Sequence, residues 1–256
     1  MKPWAGTALA AFLLSPWAQA SESPLALFAS GQFAQAEAAG ASQDDAQGLA
    51  LAARAVLADE MMRDTPCLEC LKRAESLSRR AIAADPKQAE GHIYLAVAIG
   101  YETRIIGDLA AQSKGYAGET RKHLEAALAS NPDDPWALAA MGSWHIEIVR
   151  SAGPTLAHWL FGADFATGES DYAKAFAVAP TNPVLRYQHA LTIAAFDLPA
   201  YRRSVESDLA KAAAGAPASA YELFVRERAK ELLEMLNRGN EAEIQKLVRR
   251  DRGYPA

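Results

Sequence analysis

Apolar residues in this chain recur at steps of three and four, and the runs they form are cut by short polar stops rich in proline and glycine. That period places them on one face of a helix, so the pattern predicts helices along the whole chain. The clearest stretch is 124–180. Leu124 and Ala127 share a face and Pro132 stops the helix, while Tyr172, Ala175 and Pro180 repeat the same spacing. Between them, Met141-Gly142 and His145 mark a helix that must approach a neighbour closely. Proline stops a helix because it lacks an N–H donor and its ring clashes with the preceding turn.

The same punctuation divides the rest of the chain. A short helix is expected at 25–30, and Gly31, Phe33 and Ala36 have the spacing of a tight turn followed by a packing helix. Asp44 or Asp45 caps a helix to about Met62, with Leu49, Ala52, Ala53, Val56 and Leu57 as its stripe. Thr65 and Pro66 start a helix over 66–84 that Asp85-Pro86 closes. Three pairs follow: 88–107 with 118–130, 135–150 with 170–178, and 183–196 with 201–214, the last closed by Leu209, Ala212 and Pro217. An insertion at 151–168 carries Trp159, Leu160 and Phe161, and helices at 221–236 and 241–250 end the chain. The closing prolines at 86, 132, 180 and 217 lie 46, 48 and 37 residues apart.

These helix pairs resemble the tetratricopeptide repeat, whose period is about 34, with long connections inside the central pairs. The expected fold is all-α, a right-handed superhelical solenoid of antiparallel helix pairs over 21–217, with capping helices in 218–256. Gly142-Ser143-Trp144-His145, Leu160-Phe161-Gly162, the stretch from Tyr172 to Ala175, and 105–124 with Gly107 and His123 carry a sharper likeness. Over 88–217 the chain resembles the tetratricopeptide proteins of the regulator of microtubule dynamics family. The resemblance implies a non-catalytic, protein-binding helical module.

The N-terminus bears on the compartment. Lys2, the apolar run from Trp4 to Leu14 and Ala18-Gln19-Ala20 match a secretory signal, with cleavage expected after Ala20. The run is short and broken for a membrane span, which needs about 20 apolar residues. Together with the alanine-rich composition this suggests a bacterial chain, periplasmic or secreted, and such a chain meets no microtubules. Removing 1–20 takes away Lys2 and moves the formal net charge from −5 to −6 over the remaining 236 of 256 residues. A mildly acidic chain lacks the basic surface that nucleic acid requires, and no stable membrane insertion is expected.

Candidate chemistry is sparse. Cys67-Leu68-Glu69-Cys70 opens a helix, where the local dipole lowers a thiol pKa. A thioredoxin-like motif would need a strand-helix-strand setting, a haem attachment would need a histidine where Leu71 stands, and a metal site would need further ligands. A structural disulfide or two packed thiols remain, with export favouring the disulfide. His145 and Glu147 are two apart and face different ways, so His145, in stripe with Leu138, Met141 and Ile148, reads as a core histidine. His92, His123, His158 and His189 show no ligand spacing. No nucleophile elbow or phosphate loop is present; the chain is expected to be no enzyme and to need no cofactor or metal.

The helix face opposite that stripe carries Trp136, Ala140, Ser143, Glu147 and Arg150. A shift of 46 residues places Glu90, Tyr94, Val97, Tyr101 and Arg104 beside them, and a shift of 48 places Val184, Gln188, Leu191, Ala195 and Leu198 on the other side. Such rows form either an ordinary solvated face or a groove with aromatic walls and a pair of arginines. The expected partner-binding residues are Tyr94, Tyr101, Arg104, Trp136, Ser143, Glu147 and Arg150. Three functions compete. The first is a scaffold that docks a protein or peptide in the concave groove. The second is a small-molecule-binding accessory of a transport system with a pocket covered by 151–168. A redox role for Cys67 and Cys70 ranks last.

Overall fold

The computed structural model describes residues 22–255, so the expected cleavage after Ala20 lies outside the described residues. Among these residues the fold is all-helical. The chain opens with α1 (Pro24–Ala29), α2 (Phe33–Gln43) and α3 (Ala46–Met61). Asp45 rather than Asp44 is the cap of α3: its carboxylate accepts the Gly48 N–H at 2.7 Å, while Asp44 turns the chain with φ 51°. α4 (Leu68–Ala84) begins later than the Thr65-Pro66 signal suggests, because Cys67 takes the capping position and its sulfur accepts the Cys70 N–H.

The two central pairs repeat with little variation. α5 (Ala89–Ile106) and α8 (Pro135–Ala152) are each 18 residues long. Gln88 and Asp134 cap their starts through side-chain oxygens, satisfying backbone donors that the first turn leaves free. Gly107 and Gly153 end them, with φ/ψ of 85°/159° and 77°/158°. A side chain is strained in that region, so glycine is what allows both helices to stop and turn at equivalent points. After Gly107 comes α6 (Asp108–Ser113), a short helix the periodicity did not reveal, and then α7 (Tyr116–Ser130). After Gly153 come α9 (Pro154–Leu156), a π turn at Ala157–Phe161, and α10 (Phe165–Val178). The insertion is therefore folded, and α10 starts before the expected residue 170 because Asp164 caps it at the Thr167 N–H.

α11 (Pro183–Ala214) is continuous in outline but bends where the sequence divides it: Asp197 has φ −161° and ψ 85°, and its carboxylate caps the second arm at the Ala200 N–H. Pro199, which has no backbone N–H, removes a helical hydrogen bond at the same place. α12 (Ala220–Arg238) and α13 (Glu241–Asp251) complete the chain.

Neighbours in sequence are neighbours in space from α2 to α8, and alternate helices also touch, α3 with α5, α5 with α8, and α8 with α11. Those four form an inner row; α4, α7, α10 and the second arm of α11 lie outside it. Alanines at the crossings, among them Ala52, Ala74, Ala98, Ala127, Ala137 and Ala175, are fully buried. Two crossings are closer still and rest on glycine pairs: in α2 over α3 a Cβ added to Gly48 would lie 2.5 Å from the Gly40 carbonyl, and in α8 over α10 one added to Gly142 would lie 2.7 Å from the Gly168 carbonyl.

The C-terminal helices do more than cap one end. α12 returns to the start of the chain: Tyr221 donates to Met61 Sδ at 3.0 Å, Arg228 pairs with Asp64 at 2.7 Å, and Ala220 sits against Gly31. The concave face is thereby walled by residues from both ends of the chain.

Candidate functional site

The inner row encloses a cavity of about 670 Å³. All seven residues expected to bind a partner line it: Tyr94, Tyr101 and Arg104 from α5, and Trp136, Ser143, Glu147 and Arg150 from α8. α3 adds Arg54, Leu57 and Met61, and α11 adds Val184, Leu185 and Gln188. The helical period explains this convergence. Residues three and four apart on α5 and α8 face one way, and the 46-residue repeat puts the two faces side by side.

The third row is corrected. Val184 and Gln188 reach the cavity, but Leu191 and Leu198 are buried in the core. Ala195 lines a smaller space of about 360 Å³ beside Arg249 and Arg252. α13 packs against α11 and fills the place where the row would have continued. Glu90 lies outside the cavity wall. Burial raises its pKa.

The groove is also not open along its length. Tyr221 and Tyr254, from a C-terminal segment whose return no local pattern signals, form part of the wall. Arg104 and Arg150 do meet at one end of the cavity, as their equal positions in α5 and α8 imply. They are not an empty clamp. Arg104 lies over the Tyr101 ring and donates to the Arg252 carbonyl at 2.6 Å. Arg150 pairs with Glu147 at 2.9 Å and donates to the Tyr254 hydroxyl at 3.2 Å, and Arg252 pairs with Glu147 as well. Burial alone would raise the Glu147 pKa, but the guanidiniums of Arg252, Arg104 and Arg150 outweigh it and lower the value. Three cations around one carboxylate leave this end of the cavity positive. Glu102, two residues before Arg104, accepts the Tyr116 hydroxyl at 3.0 Å instead.

Deeper in the cavity, Ser143 shares a hydrogen bond with the Tyr172 hydroxyl. The mouth is formed by the two inserts. Leu109 on α6, Leu156 just before the π turn and Leu160 within it line the opening and are exposed. The second insert is anchored by fully buried Ala157 and Ala163, and by Arg121 donating to the Phe161 carbonyl. Phe161 lines the cavity as expected of a cover; Trp159 does not and is 78% exposed.

Of the five histidines, His158 is exposed and the other four fall into three environments. His145 is buried and its Nδ1 accepts the Asp164 N–H at 3.3 Å, as a core histidine should. His92 and His123, which have no motif spacing, meet at 2.8 Å through their Nδ1 atoms. His92 Nε2 faces the Pro86 carbonyl at 3.0 Å, so His92 donates there and accepts from His123. His189 lies between Asp208 at 2.6 Å and Glu169 at 2.8 Å. Among the described residues, no serine, threonine or cysteine side chain hydrogen-bonds to either cluster. Only the fold brings these groups together, since their partners lie on different helices.

The sequence model of the family described as regulator of microtubule dynamics protein 1-3 matches residues 35–168. The match runs from α2 to Gly168 in the first turn of α10, so it begins and ends earlier than the 88–217 resemblance. It takes in α3, α5, α8 and both inserts, which supply most of the cavity wall, and leaves out the C-terminal helices. No curated protein matches the chain.

Proposed function

The chain belongs to the regulator of microtubule dynamics protein 1-3 family, and from that premise we propose that it is a non-catalytic binding module that takes a mainly apolar small molecule into its concave cavity. The observation that carries this reading is the cavity itself. Its volume of about 670 Å³ falls within the range of small-molecule sites, about 300–1,000 Å³, in which an apolar wall with a few polar groups is usual. Arg104 and Arg150 at the positive end suit an acidic or hydrogen-bond-accepting end of the ligand. We read the helix pairs as a tetratricopeptide-like solenoid and the N-terminal segment as an export signal. The module would then serve a transport system outside the cytoplasm, without nucleic acid or membrane insertion.

A second reading, docking of a protein or peptide segment, is favoured by one feature. Leu109, Leu156, Trp159 and Leu160 stand exposed around the mouth, and a cluster of this kind suits a partner surface.

Gly100 offers the test. It lines the cavity, and a Cβ added there meets nothing within 4 Å. A Gly100→Phe substitution fills the space and replaces a helix-interior glycine, which removes about half of its cost of about 1 kcal/mol. Titration with a fluorescent apolar anion should show at least about tenfold weaker binding, equivalent to about 1.4 kcal/mol, with an unchanged or higher thermal midpoint. Unaltered binding would place the ligand elsewhere. A partner that binds this filled variant at full strength would favour the mouth.

A further inference from the structure

On the outer side of α3, away from the cavity, the Cys67–Cys70 pair meets a buried carboxylate that sequence spacing did not connect to it. Glu60, in the last turn of α3, is 6% exposed. One of its oxygens accepts the Cys67 N–H at 3.0 Å, and the other pairs with Arg63 at 3.1 Å. A Glu60 oxygen and both sulfurs all lie within 4.8 Å of one another. The cysteines form a disulfide with Cα atoms 5.2 Å apart, and both residues are half-buried. The Cys67 sulfur sits at the N-cap of the 17-residue α4 and accepts the Cys70 N–H at 3.1 Å.

A cross-link between an N-cap and the third helical residue joins two positions that the first turn of α4 already holds together. A disulfide also needs no charged neighbour, whereas a buried carboxylate is costly to keep. The arrangement makes chemical sense for exchange. A thiolate at Cys67 is favoured by the helix N-terminus and the Cys70 N–H, and Cys70 has a proton carrier beside it. Thiol–disulfide exchange requires these groups and no strand.

We propose that Cys67 and Cys70 form a thiol–disulfide exchange site in which Glu60 carries the proton of Cys70, with a small or protein-borne thiol as co-reactant. An incoming thiolate RS⁻ attacks Cys67 Sγ and forms the mixed disulfide. The Cys67–Cys70 bond breaks, and its electron pair goes to Cys70 Sγ, which takes a proton from the Glu60 carboxyl. A second thiolate then attacks the R sulfur and releases Cys67 as a thiolate. Two RSH are oxidised to RSSR, the protein disulfide is reduced to a dithiol, and solvent restores the Glu60 proton while exchanging the others. Burial raises the Glu60 pKa, which favours the protonated form this step needs. The charged groups that bear on it are Asp59 on α3, Arg63 just after it and Arg73 on α4.

The test uses the full chain with dithiothreitol as the reductant across a pH series. The folded disulfide should be reduced at least about tenfold faster than in the urea-unfolded chain. A Glu60→Gln variant, which still accepts the Cys67 N–H, should be slower and lose one inflection from its pH profile. With oxidised glutathione, a Cys70→Ser variant should accumulate a mixed disulfide at Cys67, seen by mass spectrometry, and Cys67→Ser should form its adduct at least about tenfold more slowly. Reduction no faster than in the unfolded chain, a Glu60→Gln profile identical to that of the parent, or equal adduct formation by the two serine variants would overturn the proposal and leave a structural cross-link.

Discussion

α5 and α8 have the same length, the same kind of cap and glycine ends of matching conformation, yet they cross their partner helices at different depths. In α8 a Cβ on Gly142 would strike the Gly168 carbonyl at 2.7 Å and the Tyr172 ring. The residues at the equivalent places in the α5–α7 pair are Ala96, Thr120 and Leu124. Ala96 keeps its Cβ and is still 3% exposed. The tight crossing accommodates Tyr172, whose ring stands where Leu124 fits in the other pair and whose hydroxyl reaches Ser143 in the cavity wall. A single backbone plan thus tolerates two packings, and the larger aromatic residue goes with the glycines.

The largest expected effect breaks this contrast. Gly142→Ala should cost roughly 2–3 kcal/mol, the usual penalty for overpacking a crossing that cannot open. Ala96→Gly should cost only about 1 kcal/mol, through helix propensity. Urea unfolding of both variants measures the difference, and equal losses would mean that the two crossings are equally close.

A second contrast lies in how the pairs hold histidine. His123, against His92, has its pKa lowered to about 4, first by burial and then by the neighbouring ring. Its contribution to stability is present above the unfolded value of 6.5 and is lost as pH falls toward about 4. We expect about 2 kcal/mol to disappear over that window, less than the full shift implies because the ring keeps some contact with solvent, and His123→Gln should flatten the acid limb. His189 is the reverse. Burial opposes its charge, but hydrogen bonds to Asp208 and Glu169 outweigh burial and raise its pKa. Its contribution is complete below 6.5 and fades as pH rises through the raised value. His189→Gln should remove that loss on the alkaline side. Unfolding free energies across a pH series separate the two signs.

The smallest effect concerns Arg104 and Arg150, equivalent by repeat but different in partner. Either Arg104→Ala or Arg150→Ala should cost about 1 kcal/mol and speed hydrogen exchange at the amides of Arg252, Gly253 and Tyr254, which bond to the last turns of α13. Arg150→Ala should cost more, because it loses both Glu147 and the Tyr254 hydroxyl. Unchanged exchange in both would show that the C-terminal segment holds its place without them.

Much of this was legible in the chain. The prolines and the apolar spacing located nearly every long helix, since helix ends are decided by local donors and acceptors, which the structure shows as the caps Gln88, Asp134, Asn182 and Asn240. The cavity residues on α5 and α8 were legible for a related reason, because a repeat fixes which faces stack. α6 and the folded insert were not, since helices of so few residues carry too little periodicity to detect.

By itself, then, the sequence determined the helices, their order and the shared inward face of two repeats, all consequences of interactions a few residues apart. Only the tertiary structure decided that this face would be closed. The contacts that close it, Tyr221 to Met61, Arg228 to Asp64, and Arg252 and Tyr254 to the Arg104, Glu147 and Arg150 cluster, join residues more than a hundred positions apart. No local period encodes such pairs. They exist because helix packing angles, accumulated along the chain, carry its end back to its beginning.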